Sequence, residues 1–252
     1  MAIYHAHTKA ISRGKGHSST ANAAYIGGKE VLENEIILPN GIDLPTLTSQ
    51  ELWNKAEESE KRKDARVGRE CEISLPHELT PEQRAVLAKE LTQNLANRYG
   101  VACEYAIHHP SRENSDERNH HVHILTTTRK IDINGNLGEK SDIELDRKQC
   151  AEKKISTSQE QISEIREQIA NTINKHLELS LCQAKVTHLS LQAQGIDREP
   201  TTHKGKALCE QERRLELQMV KVEIQIVYDC HELAKANAEL AQLQKNQAIQ
   251  QD

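Results

Sequence analysis

The sequence predicts an α+β fold: an antiparallel sheet with helices packed on one face, followed by an extended α-helical C-terminal region. Three observations predict it. Segments 69–75, 101–108 and 121–130 alternate apolar and polar residues, the period of half-buried strands. Between them lie segments with helix start and stop signals. From about residue 145 the chain turns charged and helical, and 207–248 holds neither Pro nor Gly. The expected divisions are a domain over 1–150, a helical and loop extension over 151–206, and a long Gln-rich helix or coiled-coil tail over 207–252.

Residues 2–11 read as a strand. Residues 17–28 (HSSTANAAYIGG) read as a short helix with Ser18, Ser19 and Thr20 at its start and Gly27-Gly28 as its stop. Residues 30–48, with Pro39, Gly41 and Pro45, read as loop. Residues 49–65 read as a helix capped by Thr48 or Ser49, with Leu52 and Ala56 on one face and Trp53 beside Leu52. RECEISL at 69–75 is a strand ended by Pro76. Thr80 then caps a helix with Pro81 first and Gln83 three residues after the cap, running to Tyr99 and Gly100. Strands 101–108 and 121–130 are joined by a polar loop, His109 to His120, and Asn134-Gly135 is a turn signal. Residues 145–184 read as helical and 186–206 as a polar segment. Further on, Leu215, Met219, Val222 and Ile226 make an apolar stripe, fit either to pack on a partner helix or to lie along a single exposed one.

Composition narrows the function classes. Hydrophobic residues make up 36% and aromatics 2%, with no Phe, which suits a modest core plus exposed helix. A net charge of −5 counts against a protein that coats DNA without regard to sequence. It leaves room for a site-specific DNA enzyme, because residues 1–29 hold Lys9, Arg13, Lys15 and Lys29 and no acid. Six scattered cysteines without a CxxC pair suggest reduced thiols. With no apolar run near ~20 residues and no apolar stretch in MAIYHAHTK, a cytoplasmic protein without membrane insertion or signal peptide is expected.

Thirteen histidines are many for 252 residues, and their placement carries chemistry. His121 and His123 stand at i and i+2 of one strand, so both imidazoles share a face. Antiparallel pairing with 101–108 brings His108 beside them. Three neutral imidazoles converging on one point suit a divalent metal with open coordination positions. Val101, Cys103, Tyr105, Ile107, Val122, Ile124, Cys71, Ile73 and Leu75 make the core face, and Glu70, Glu72 and Glu104 share the histidine face. His5 and His7 form a second HxH pair, read as a polar strand face. Tyr25, flanked by Ala23 and Ala24, reads on its own as core.

The run AIYHAHTKAISRGKGHSSTANAAYIGG resembles the opening of MobA/MobL relaxases of mobilizable plasmids, the MobQ-type group. ELWNKAEESEKRKDARVGRECEISLP resembles that family's next block, AIHHP with NHHVHILTTTR its metal block, and HLSLQAQGIDREPTTHKG its distal segment. The matches run in order over about residues 2–206, with departures at His7, Ile26, His120 and Leu189. The resemblance implies an HUH nuclease, with His121-Val122-His123 as the histidine pair around a hydrophobic residue.

The implied reaction is metal-dependent nicking of single-stranded plasmid DNA at the origin of transfer. Tyr25 attacks the scissile phosphate, forms a 5′-phosphotyrosyl link, and the strand is religated after transfer. His108, His121 and His123 would hold Mg²⁺ or Mn²⁺ as Lewis acid and template. Glu70 orients a metal histidine or takes the phenol proton, with Glu72 competing for that role and an ion pair of Glu70 with Arg66 or Arg69 as the plain alternative. Lys9, Arg13 and Lys15 as a group would clamp the strand, and Arg129 would hold a phosphate or an ordinary surface partner. Expected partners are relaxosome accessory proteins, a coupling protein, and another copy of the chain through its C-terminal helix. A non-catalytic origin-binding module and a rolling-circle replication initiator are the competing expectations.

Overall fold

The computed structural model describes residues 3–28, 31–108, 110, 118–198 and 205–249, with the backbone alone for 205–210 and 242–249. The chain divides into two compact units, Met1–Leu189 and Ser190–Asp252.

The first unit is built on a six-stranded antiparallel sheet. Its strands are β1 (Ala6–Ser12), β2 (Val31–Ile37), β3 (Arg66–Ser74), β4 (Val101–His108), β5 (His121–Ile131) and β6 (Leu137–Lys140). The lateral order is β1-β3-β5-β4-β2, with β6 on the far end of β5. The two most continuously apolar strands, β4 and β5, are buried along almost their whole length, which puts them mid-sheet. The segment expected as loop over 30–48 instead opens with β2. Val-Leu-Glu-Asn-Glu-Ile-Ile lacks clean alternation because it is an edge strand, and Glu33 and Glu35 meet the Tyr105 hydroxyl from β4 at 2.6 and 3.2 Å.

Helices cover the sheet on both sides. The helices α1 (Ser19–Ile26), α2 (Ser49–Glu58), α3 (Pro81–Tyr99), α4 (Arg147–Lys153) and α5 (Ser158–Leu179) belong to this unit. Ile73, Cys103, Tyr105, Val122 and Ile124 pack on one face against Leu87 and Leu91 of α3 and Ile165, Ile169, Ile173 and Leu177 of α5. The α+β class therefore stands, with its larger helices on the expected face. The opposite face is closed in part by α1 and α2. There Ala23, Ile26, Leu52, Trp53 and Ala56 pack on Ile11, Val67, Ala102, Ala106 and Leu125, apolar residues interleaved with the Glu and His positions.

Local signals set the helix ends. Thr80 and Gln83 form a reciprocal capping box with Pro81 in the first turn, and Gly100 closes α3 in the left-handed conformation at φ 66°. Thr48 and Glu51 do the same for α2. That helix ends at Glu58 rather than near 65. The guanidinium of Arg13 takes the carbonyls of Glu57 and Glu60, and the Arg13 N–H donates to Ala65, so residues 59–65 wrap around it.

In the second unit, residues 190–198 form turns and α6 (Gly205–Ile249) is a 45-residue helix. Leu215, Met219, Val222 and Ile226 stand exposed along it. No helix among the described residues is long and apolar enough to cross a membrane.

Candidate metal and nucleophile site

β4 ends and β5 begins at the same end of the sheet, and the histidines collect there. His108 pairs directly with His121, and Ala106 with His123. The three imidazoles therefore form a triangle, with ring centroids 5.4, 4.7 and 5.1 Å apart. A ligand nitrogen from each lies within 4.8 Å of the others. Most of the connecting loop, 109 and 111–117, lies outside the described residues.

Each ring is held from behind. His123 Nδ1 lies 2.8 Å from Glu70 Oε1, and His121 Nδ1 lies 3.0 Å from the Asn119 carbonyl. A carboxylate or carbonyl oxygen only accepts, so both Nδ1 atoms carry the proton and both Nε2 atoms keep a lone pair. That is the tautomer a metal ligand requires. His108 Nε2 lies 2.8 Å from the carbonyl oxygen of Ile26, the residue after Tyr25. The donor set and its supports fit a divalent ion.

Glu70 is 3% exposed and sits between two donors, His123 and Lys9. Its Oε2 is 3.0 Å from Lys9 Nζ. Burial pushes its carboxyl up, but the hydrogen bonds from His123 and Lys9 and the charge of Lys9 outweigh that and hold it below the usual carboxylate range. Arg66 and Arg69, the alternative partners for Glu70, both go to Glu144. Glu72 also faces this side, and Glu70, Glu72 and His123 make a second group with converging ligand atoms. His7 stands in the same lateral row, opposite Glu72.

Tyr25 lies at the end of α1 and is 74% exposed, not core. Ile26, fully buried, turns the helix so that its neighbour faces outward. The basic residues divide. Lys9 is half-exposed beside Glu70, and Lys15 is exposed. Arg13 gives Nε and Nη2 to Glu57 Oε2 at 2.9 and 2.7 Å. Arg129 gives Nε to Glu60 at 2.9 Å and Nη1 to the Gly138 carbonyl at 2.8 Å. It stands six residues along β5 from His123, roughly 20 Å.

Sequence reasoning did not find the carbonyls of Ile26 and Asn119, because a backbone acceptor carries no residue signature. It also placed Glu104 on the histidine face without a partner. Glu104 is 1% exposed there and accepts hydrogen bonds from Ser49 Oγ, at 2.7 Å, and from Trp53 Nε1.

The antiparallel sheet and its helices resemble the folds of solved structures. A structure concerning vancomycin resistance transfer in Staphylococcus aureus matches with a TM-score of 0.61 and 29% identity, over 75% of this chain and 100% of that one. The conjugative relaxase TrwC matches in fold alone, with a TM-score of 0.50 and 9% identity over 79% of this chain and 87% of that one.

The chain belongs to the MobA/MobL family, whose model matches residues 2–214. The mobilization protein MobL of Acidithiobacillus ferridurans is 37% identical over 85% of this chain and 65% of its own length. Mobilization protein A of Escherichia coli is 30% identical over 85% of this chain and 31% of its own. The chain thus spans under two thirds of these relatives.

Proposed function

We propose that this protein is a plasmid mobilization relaxase of the HUH type, which nicks one strand at an origin of transfer through Tyr25 and later reseals it. The observation that carries the proposal is the link between two parts: three converging imidazoles, and a hydrogen bond from one of them to the residue beside an exposed tyrosine. The names of the MobL and MobA relatives support it.

His108, His121 and His123 would hold the ion, Mn²⁺ or Mg²⁺. When bound, it supplies Lewis acidity to the non-bridging phosphate oxygens. The Tyr25 hydroxyl oxygen attacks phosphorus, the bond to the 3′-oxygen breaks, and a 5′-phosphotyrosyl link forms. The phenol proton passes to solvent and the departing 3′-oxygen takes one up. Resealing is the reverse, with the 3′-hydroxyl as nucleophile. Both Glu70 oxygens are already engaged, by His123 and Lys9, so Glu70 positions a metal ligand and does not act as the base. Lys15 meets phosphate directly, and Lys9, half-exposed beside Glu70, has further donors to turn toward it. Arg13 and Arg129, each paired with a glutamate, brace the segments beside the strand.

Nicking of plasmid DNA places the protein in the cytoplasm, alongside relaxosome accessory proteins and a coupling protein. The exposed stripe on α6 is the surface for self-association, which analytical ultracentrifugation tests: a single monomeric species overturns it. Residues 1–150 are the nickase domain, 151–206 its helical extension and 207–252 the tail.

The test is covalent capture. Incubated with a labelled single-stranded origin oligonucleotide and Mn²⁺ or Mg²⁺, the protein is expected to form an SDS-stable protein–DNA adduct. Tyr25→Phe and a chelator should each abolish it. A mobility shift without any adduct would instead identify an origin-binding module.

A further inference from the structure

Beside α1 lies a cleft of about 530 Å³, between that helix, α2, and the strands β2 and β4. That volume lies within the range of small-molecule and cofactor sites. Ala24 and Gly27, on either side of Tyr25 in the chain, form part of its wall, so the cleft shares a helix with the nucleophile. Several of its polar groups have no hydrogen-bond partner among the described residues. Glu104 is almost wholly buried, yet among the described residues only its Oε2 has hydrogen-bond partners, Ser49 and Trp53, while Oε1 has none. Around it, the side-chain amides of Asn34, Gln50 and Asn54 line the cleft, again without hydrogen bonds among the described residues.

An unpaired carboxylate oxygen that opens only onto the cleft is a ready acceptor for a donor placed there. Water can supply one, but the three surrounding amides add both donors and acceptors to one rim. We propose that this cleft receives an unstacked nucleobase of the strand being cut, and that Glu104 selects bases carrying an exocyclic amino group. Carboxylates accept from the amino group of cytosine, and adenine and guanine offer comparable donors. Thymine sets the O4 carbonyl in place of that amino group and keeps only N3–H as a donor, so it fits the Glu104 carboxylate less well. The proposal rests on the reading of the chain as a DNA strand transferase, and it deepens that reading by assigning a specificity pocket.

Trp53 is the only tryptophan of the chain, and its indole N–H is bonded to Glu104. Its fluorescence is therefore a local reporter of the cleft. The test titrates the 252-residue protein with end-labelled (dT)12, (dC)12 and (dA)12, reading anisotropy of the label and Trp53 emission in parallel. The proposal expects (dC)12 and (dA)12 to bind about tenfold or more tighter than (dT)12 and to change Trp53 emission. Glu104→Gln should erase that preference. Because a change at a buried site risks the fold, Asn54→Ala, at an exposed rim position, is the companion variant and should weaken the preference without altering thermal unfolding. Equal binding of all three oligonucleotides with unchanged Trp53 emission overturns the pocket and leaves the strand-transferase reading intact. No anisotropy change with any of the three also overturns the pocket, whereas failure of covalent capture with the origin oligonucleotide is what overturns the strand-transferase reading.

Discussion

Glu70 shows how one side chain is assigned a role that spacing leaves open. Period-two alternation put Glu70 and Glu72 on the same face as His121 and His123, and that is as far as a strand pattern resolves. Register then decides. Glu72 stands directly opposite His123, yet the hydrogen bond runs diagonally from His123 to Glu70, two residues along. Lys9, directly across from Glu70 on β1, supplies the second contact. None of this is visible locally, because β1 and β3 are about 60 residues apart. The histidine pair, in contrast, was legible because both rings come from one strand. Removing the Glu70 charge while keeping its shape tests the support. Glu70→Gln should weaken Mn²⁺ binding by roughly 10–100-fold, the usual effect of losing such a partner. Calorimetric titration with Mn²⁺ measures it. Unchanged affinity would make Glu70 only a partner of Lys9.

At the scale of elements, the helices with reciprocal caps were legible and the edge strand was not. Thr80, Pro81 and Gln83 mark the start of α3 by chemistry confined to four residues. β2 has no such mark, and it exists because β4 offers it a ladder. The turn between β1 and α1 is likewise set from afar. Glu57 of α2 accepts from the Ser19 N–H at 2.6 Å and its hydroxyl at 3.0 Å with one oxygen, and from Arg13 with the other. Burial works to raise the Glu57 carboxyl, but Arg13, Ser19 and Ser18 prevail and hold it below its ordinary value. A carboxyl lowered in the folded state stabilises fully above its unfolded value. That stabilisation is lost as pH falls through the folded one. Glu57→Gln should therefore cost about 1–3 kcal/mol at pH 7, as for hydrogen bonds to a charged group. The gap from the parent protein should shrink steadily below about pH 4. Urea unfolding at several pH values reads both quantities, and a gap independent of pH would remove the charge from the account.

For the whole molecule, the question is which residues suffice to hold the metal site together. The sheet has a core on each face, and every fully buried core residue among those described lies between Ile11 and Val186. α5 belongs to that assembly: Ile165, Ile169, Ile173 and Leu177 recur every four residues, and Asn174 exchanges two hydrogen bonds with Val186 at 2.8 Å. The sequence signalled α5 as charged and helical, but its apolar stripe is narrow enough that only the sheet reveals what it covers. All three imidazoles, their supports Glu70, Asn119 and Ile26, and Tyr25 fall within the same compact unit. A fragment ending at Leu189 should therefore unfold in one cooperative transition and bind Mn²⁺ as the 252-residue chain does, within about twofold. Thermal unfolding followed by circular dichroism, with and without Mn²⁺, checks both points. Loss of cooperativity, or of the Mn²⁺-dependent rise in midpoint, would mean that residues 190–252 contribute to the site's stability.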